Sequence, residues 1–135
     1  MPAPEILLVE DDRDIREAMA EVLEQEGYVV SLAKTGLDAV QHLETCRALP
    51  AAILLDLMMP IMDGWEFSSV KQGNPQWATV PIVIVSADAN VSEKGQAVRA
   101  VAHLRKPIDI DQLLGILLTV VTPPAPPPPS LAEGT

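Results

Sequence analysis

Short, mainly apolar runs alternate along the chain with stretches in which apolar residues recur every three or four positions. The runs fall at residues 5–9, 29–33, 51–55, 81–85 and 101–104. The first, third and fourth are continuously apolar, the pattern of strands covered on both faces. The second reads as a more edge-like strand, and the fifth is the weakest of the set. Between them lie helical patterns. Ile15, Met19, Val22 and Leu23 form one stripe, with Gly27 as its stop. Leu37, Val40 and Leu43 form a second, opened by Thr35 with Asp38 three residues on, a capping box. A third helix is predicted from just after Gly64 to about Gln72, broken by Gly73-Asn74-Pro75. A fourth is opened by Asn90 with Glu93. Ile110, Leu113, Leu114 and Leu117 give a fifth, capped by Asp109 with Gln112. Strict alternation of strand and helix predicts an α/β fold, a doubly wound five-stranded parallel sheet with right-handed crossovers and helices on both faces. In such sheets ligands sit outside the carboxyl ends of the strands, at the topological switch point. No internal repeat is visible.

The chain of 135 residues suggests one domain. The stretch 122–135 carries six prolines, which exclude a helix or a central strand there. It reads as a solvated polyproline-II tail or linker, leaving residues 1–121 for the domain. That length buries one hydrophobic core without disulfides. The net charge of −10, from 9 basic and 19 acidic residues, makes the chain a poor non-specific partner for nucleic acid or an anionic membrane. The lone Cys46 fits a reducing compartment. The N-terminus lacks a secretory pattern, and no apolar run nears the roughly 18 residues needed to span a bilayer. A cytoplasmic protein is the expectation.

The predicted strand ends carry the chemistry. Strand one ends in Glu10-Asp11-Asp12, strand three in Asp56, strand four in Ser86-Ala87 and strand five in Arg105-Lys106-Pro107. With this topology all four clusters share one edge of the sheet. Crowded carboxylates repel one another, and a divalent cation resolves the conflict. Carboxylates, a backbone carbonyl and waters are hard oxygen donors suited to Mg²⁺. Lys106 and Ser86 add a cation and a hydroxyl. A carboxylate nucleophile with a metal, a lysine and a hydroxyl suffices to form an acyl phosphate.

The segments Ile-Leu-Leu-Val-Glu-Asp-Asp at 6–12, Leu-Asp-Leu-Met-Met-Pro-Ile-Met-Asp-Gly at 55–64, Val-Ser-Ala at 85–87 and Arg-Lys-Pro at 105–107 resemble the four signature blocks of response-regulator receiver domains. The resemblance covers roughly residues 5–121, in order, and the 55–64 block is its most specific part. It implies the flavodoxin-like strand order 2-1-3-4-5 and a part in a two-component phosphorelay. Asp56 is then the phosphoacceptor and a Mg²⁺ ligand, Asp11 a direct Mg²⁺ ligand, with Glu10 assisting and Met58 giving a backbone carbonyl. Lys106 binds the phosphoryl group, Ser86 is the switch hydroxyl, and His103 occupies the place of a rotating aromatic. A cis bond often precedes the proline that Pro107 matches. The implied partners are a sensor histidine kinase or phosphotransfer domain and a downstream protein target, with homodimerisation on phosphorylation left open. The segment between Ser86 and Lys106 departs from the family in being shorter and lacking an Ala-Gly turn. Met58 and Asp88 stand where the family tunes access of water to the phosphoryl group, so a phosphorylated state lasting minutes or longer is expected.

Blander readings exist. The acidic trio at 10–12 also suits a helix N-terminus. Met58, Met59, Met62, Trp65 and Trp77 read as packing, and Cys46 as structural. Pro123-x-x-Pro126 resembles a peptide-module ligand, although a flexible linker accounts for it. Two other functions compete. A pseudo-receiver keeps the fold as an interaction module without the switch, which the complete Asp, Ser and Lys set argues against. A phosphohydrolase of the haloacid-dehalogenase kind wants a second acid two residues after the nucleophile, where this chain has Met58.

Overall fold

The computed structural model describes residues 4–57, 62–87 and 100–121. Its elements run β1 (Glu5–Val9), α1 (Arg13–Gln25), β2 (Val29–Ala33), α2 (Gly36–Thr45), β3 (Ala52–Asp56), α3 (Gly64–Gln72), β4 (Ile82–Ser86), β5 (Ala102–Arg105) and α4 (Ile110–Val121). All strand pairs are parallel, in the order β2-β1-β3-β4-β5. The flavodoxin-like, doubly wound sheet is therefore the observed fold. Met58 and Met59, Asp88, the helix opened by Asn90 and Glu93, and the proline-rich tail lie outside the described residues.

Burial follows position in the sheet. β3 and β4 are buried throughout and β1 nearly so, while the edge strands β2 and β5 are partly exposed. Successive side chains on a strand point to opposite faces, which divides the core in two. Leu7, Val9, Ile53, Leu55, Ile82 and Ile84 pack on one face against Ala39 and Leu43 of α2 and Phe67 of α3, joined by Trp77 and, partly buried, Met62 and Trp65. Ile6, Leu8, Leu54, Val83 and Val85 pack on the other against Met19, Ala20 and Leu23 of α1 and Leu113 and Leu117 of α4. The packing role read for both tryptophans and for Met62 holds.

Three local expectations are modified. β3, β4 and β5 each begin one residue later than the apolar runs, because pairing rather than hydropathy sets the strand ends. On α2 the buried face is Gly36, Ala39 and Leu43, and Leu37 is exposed. Small residues let the helix approach the sheet, so the stripe is rotated from its bulkiest side chains. The capping box there is half formed. Thr35 accepts from the Asp38 N–H, but the Asp38 carboxylate takes the N–H of Lys34 instead of that of Thr35. Asp63 and Glu66 form the reciprocal box, at the start of α3.

Gly27 follows α1 with a φ of 96°, in the left-handed region that glycine adopts at little cost. Asp109 caps α4 through the Gln112 N–H, as expected. The Lys106–Pro107 peptide is cis. Among the described residues no helix is long and apolar enough to cross a membrane.

Candidate functional site

The strand order reverses between β1 and β3. From β1 the chain steps outward to β2, and from β3 it steps the other way to β4 and β5. The carboxyl ends of β1 and β3 thus frame the switch point of this sheet. Register places the residues there one by one. Val9 lies opposite Leu55, so Glu10 and Asp56 leave the sheet at the same level. Asp56 is opposite Val85 and Ser86 is opposite Arg105. The Lys106 N–H then donates to the Ser86 carbonyl at 2.8 Å.

Carboxylate oxygens of Glu10, Asp11 and Asp56 all lie within 4.8 Å of one another. Glu10 and Asp56 are buried, at 1% and 4% exposure, whereas Asp11 faces solvent. The Lys106 ammonium reaches into this group, with Nζ 2.8 Å from Glu10 Oε1 and 3.4 Å from Asp56 Oδ2. Burial alone pulls the Lys106 pKa down. The hydrogen bond to Glu10 and the charges of Asp56 and Glu10 outweigh it, and the net direction is up. Lys106 is thus held as an ammonium. Ser86 is fully buried at the end of β4.

Asp12 does not join the cluster. Its carboxylate caps α1 by accepting the Ile15 N–H, so the bland reading of the acidic trio is right for one of its members. His103 is exposed on the edge strand β5, opposite Ile84. It is not among the residues of the acidic group. Met58 lies outside the described residues.

The sequence reading missed Arg16. It is buried on α1, and its Nη1 donates to the carbonyls of Glu10 at 2.9 Å and Asp11 at 3.3 Å. The buried positions of that helix are Arg16, Met19, Ala20 and Leu23, so a cation occupies the first position of an i, i+3, i+4, i+7 stripe. That interruption was the available signal.

Residues 6–118 match the family model described as the response regulator receiver domain. The chain belongs to that family. This receiver is 37% identical over 111 residues to response regulator MprA from Mycobacterium tuberculosis, an alignment that covers 81% of this chain and 46% of that protein. The same identity and coverage hold for MprA from Mycobacterium ulcerans. The receiver thus spans about half the length of the curated relatives it matches. Among solved structures it resembles chemotaxis protein CheY4 from Vibrio cholerae, with a TM-score of 0.79 and 30% identity, covering 87% of this chain and 98% of that one. It also resembles the receiver domain of sensor histidine kinase PA1611 from Pseudomonas aeruginosa PAO1, with a TM-score of 0.79 and 28% identity over 90% of this chain and 99% of that one. That structure has a magnesium ion coordinated in its active-site cleft.

The donor set of this receiver fits such an ion. The oxygens are hard, anionic and close together, and three carboxylates with one ammonium leave two negative charges to be balanced.

Proposed function

We propose that this receiver accepts a phosphoryl group on Asp56 from a phosphohistidine of a sensor kinase or phosphotransfer domain, and that the acyl phosphate switches its protein contacts. The observation that carries the reading is the convergence of Glu10, Asp11, Asp56 and Lys106 on one rim, from three different strand ends.

In the transfer, a carboxylate oxygen of Asp56 attacks phosphorus. A P–O bond forms, the P–N bond of the phosphohistidine breaks, and the leaving imidazole keeps the electron pair and takes up a proton. Glu10, Asp11 and Asp56, with the Met58 carbonyl, would hold Mg²⁺. When bound, that ion offsets the charge of the phosphoryl oxygens. Lys106 already touches Asp56, so its ammonium is positioned to follow the phosphoryl oxygens as negative charge moves onto them. Ser86, one residue beyond the register partner of Asp56, supplies the hydroxyl that closes on the product. Hydrolysis reverses the state, with water attacking phosphorus and Asp56 leaving as a carboxylate. The acyl phosphate is expected to last minutes or longer. His103, exposed on β5, would report the switch at the surface. Such a role places the protein in the cytoplasm, with a downstream protein as target.

Incubation with a small-molecule phosphodonor and Mg²⁺ tests the reading. A mass gain of about 80 Da on Asp56, absent in Asp56→Asn and decaying over minutes, is the expected result. No mass gain in the wild type would leave a pseudo-receiver, an interaction module without the switch.

A further inference from the structure

We infer that Arg16 is a positioning residue for the Glu10–Asp11 pair, clamping from inside the domain the two backbone carbonyls that set where those carboxylates stand. The inference rests on the proposed reading of the site as a magnesium-dependent phosphoacceptor.

The placement of Arg16 is hard to explain by stability alone. A guanidinium keeps its charge at any accessible pH, and Arg16 is 7% exposed. Burying such a charge is costly unless a counter-charge meets it. Among the described residues no carboxylate pairs with it, and its acceptors are the neutral carbonyls of Glu10 and Asp11. It also sits near the N-terminus of α1, the end at which the helix dipole disfavours a cation. An apolar side chain would continue the buried stripe of Met19, Ala20 and Leu23 without either cost.

What the cation does there is local. β1 ends at Val9, and the carbonyls of the next two residues no longer belong to its ladder. The Glu10 N–H is still held, by the Ala33 carbonyl at 3.0 Å, and the Asp12 N–H donates to Glu10 Oε2 at 3.1 Å. Arg16 Nη1 fastens both carbonyls between these points. The peptide planes that carry the Glu10 and Asp11 side chains are thereby fixed toward Asp56. Groups that orient metal ligands through hydrogen bonds are worth about 10–100-fold in metal affinity.

The clamp and the charge of Arg16 act on a divalent cation with opposite signs. A bare positive charge near the site repels Mg²⁺, so its removal tightens binding. A clamp lost from the ligand loop weakens binding. Calorimetric titration of the full chain with Mg²⁺ separates the two, with Arg13→Met as the charge control. Arg13 lies on the same helix, has 78% side-chain exposure and pairs with Glu17. Arg16→Met is expected to weaken Mg²⁺ binding about tenfold, while Arg13→Met leaves it unchanged or slightly tighter. In metal-free protein, the Asp12 amide should also exchange faster in Arg16→Met than in Arg13→Met. A folded Arg16→Met that binds Mg²⁺ as well as Arg13→Met, or more tightly, overturns the inference. Should Arg16→Met fail to fold, Arg16→Gln is judged by the same comparison, since it also removes the charge and is too short to span both carbonyls. Wild-type protein that neither binds Mg²⁺ nor gains a phosphoryl group refutes the underlying reading and this inference with it. Wild type that does both, with Arg16→Met unimpaired, refutes the inference alone.

Discussion

Gly36 donates its N–H to the carbonyl of Met62 at 2.9 Å, and a Cβ at position 36 would lie 2.5 Å from that oxygen and 2.7 Å from Met62 Cγ. The first residue of α2 is thus seated directly on the approach to α3, on the connection that begins at Asp56. Gly36→Ala cannot be accommodated without moving one of the two. It is expected to lower stability by about 1–3 kcal/mol, as overpacking does. Urea denaturation checks this, and a change below about 0.5 kcal/mol, the range of ordinary surface substitutions, would contradict it.

Lys106 competes with any cation for Glu10 and Asp56, since its ammonium lies 2.8 Å from one and 3.4 Å from the other. Lys106→Met should therefore tighten Mg²⁺ binding while slowing phosphorylation of Asp56 by tenfold or more, on the order of one lost charge-assisted contact. Arg16→Met is expected to move the metal affinity the other way. Calorimetry and a phosphorylation time course, run on the same samples, decide whether the two effects separate. Faster phosphorylation of Lys106→Met would refute the role given to the ammonium.

A groove of about 240 Å³ opens beside Lys106, lined by Ile15, Ala18 and Met19 of α1 and by Pro107 and Ile108. Under the proposed function, a protein phosphodonor is expected to contact these apolar walls beside Lys106. Ala18→Arg should slow transfer from a protein donor by about tenfold, a loss of about 1.4 kcal/mol in the encounter, and leave small-molecule phosphorylation unchanged. Equal slowing with both donors would place the defect in the site and not in docking.

Lys71 is buried on α3, and its amine donates to the Ala78 carbonyl at 3.2 Å. Burial lowers its pKa below the usual 10.5. Between the folded and unfolded pKa the unfolded chain carries the extra proton, so stability rises with pH across that window. Below the folded pKa both states are protonated, and the cost of burying the charge is present in full. Relative to Lys71→Met, the wild type should gain stability as pH rises toward the unfolded-chain value of 10.5, with a slope of at most about 1.4 kcal/mol per pH unit. Chemical denaturation of both proteins across that range measures it. A difference that is flat in pH would show that the amine is solvated.

The chemistry was legible in the sequence because it is written at strand ends. A continuous apolar run declares a buried strand, and the polar residue that terminates it must lie at the rim. Glu10, Asp11, Asp56, Ser86 and Lys106 were singled out in that way, and the fold brings the carboxylates of Glu10, Asp11 and Asp56 together with the Lys106 ammonium. Most helix limits were legible too, since caps such as Thr35 and Asp109 act within three residues.

Other features depended on which residues meet across the fold. Hydropathy chose Leu37 for the buried face of α2, but the close seat against Met62 turned Gly36 and Ala39 inward. Neither Arg16 nor Lys71 stood out in the hydropathy pattern, whereas packing buried both and turned them onto backbone carbonyls. Lys106 was foreseen at the rim, but only the assembled sheet brings it closer to Glu10 than to Asp56. The order of the chain therefore determined the described elements and the identity of the candidate site groups, because caps, turns and burial patterns act over a few residues. Distances among those groups, and the second layer that holds them, were decided only when separate strands and helices packed. A hydrogen bond across the fold leaves no periodic trace in the chain.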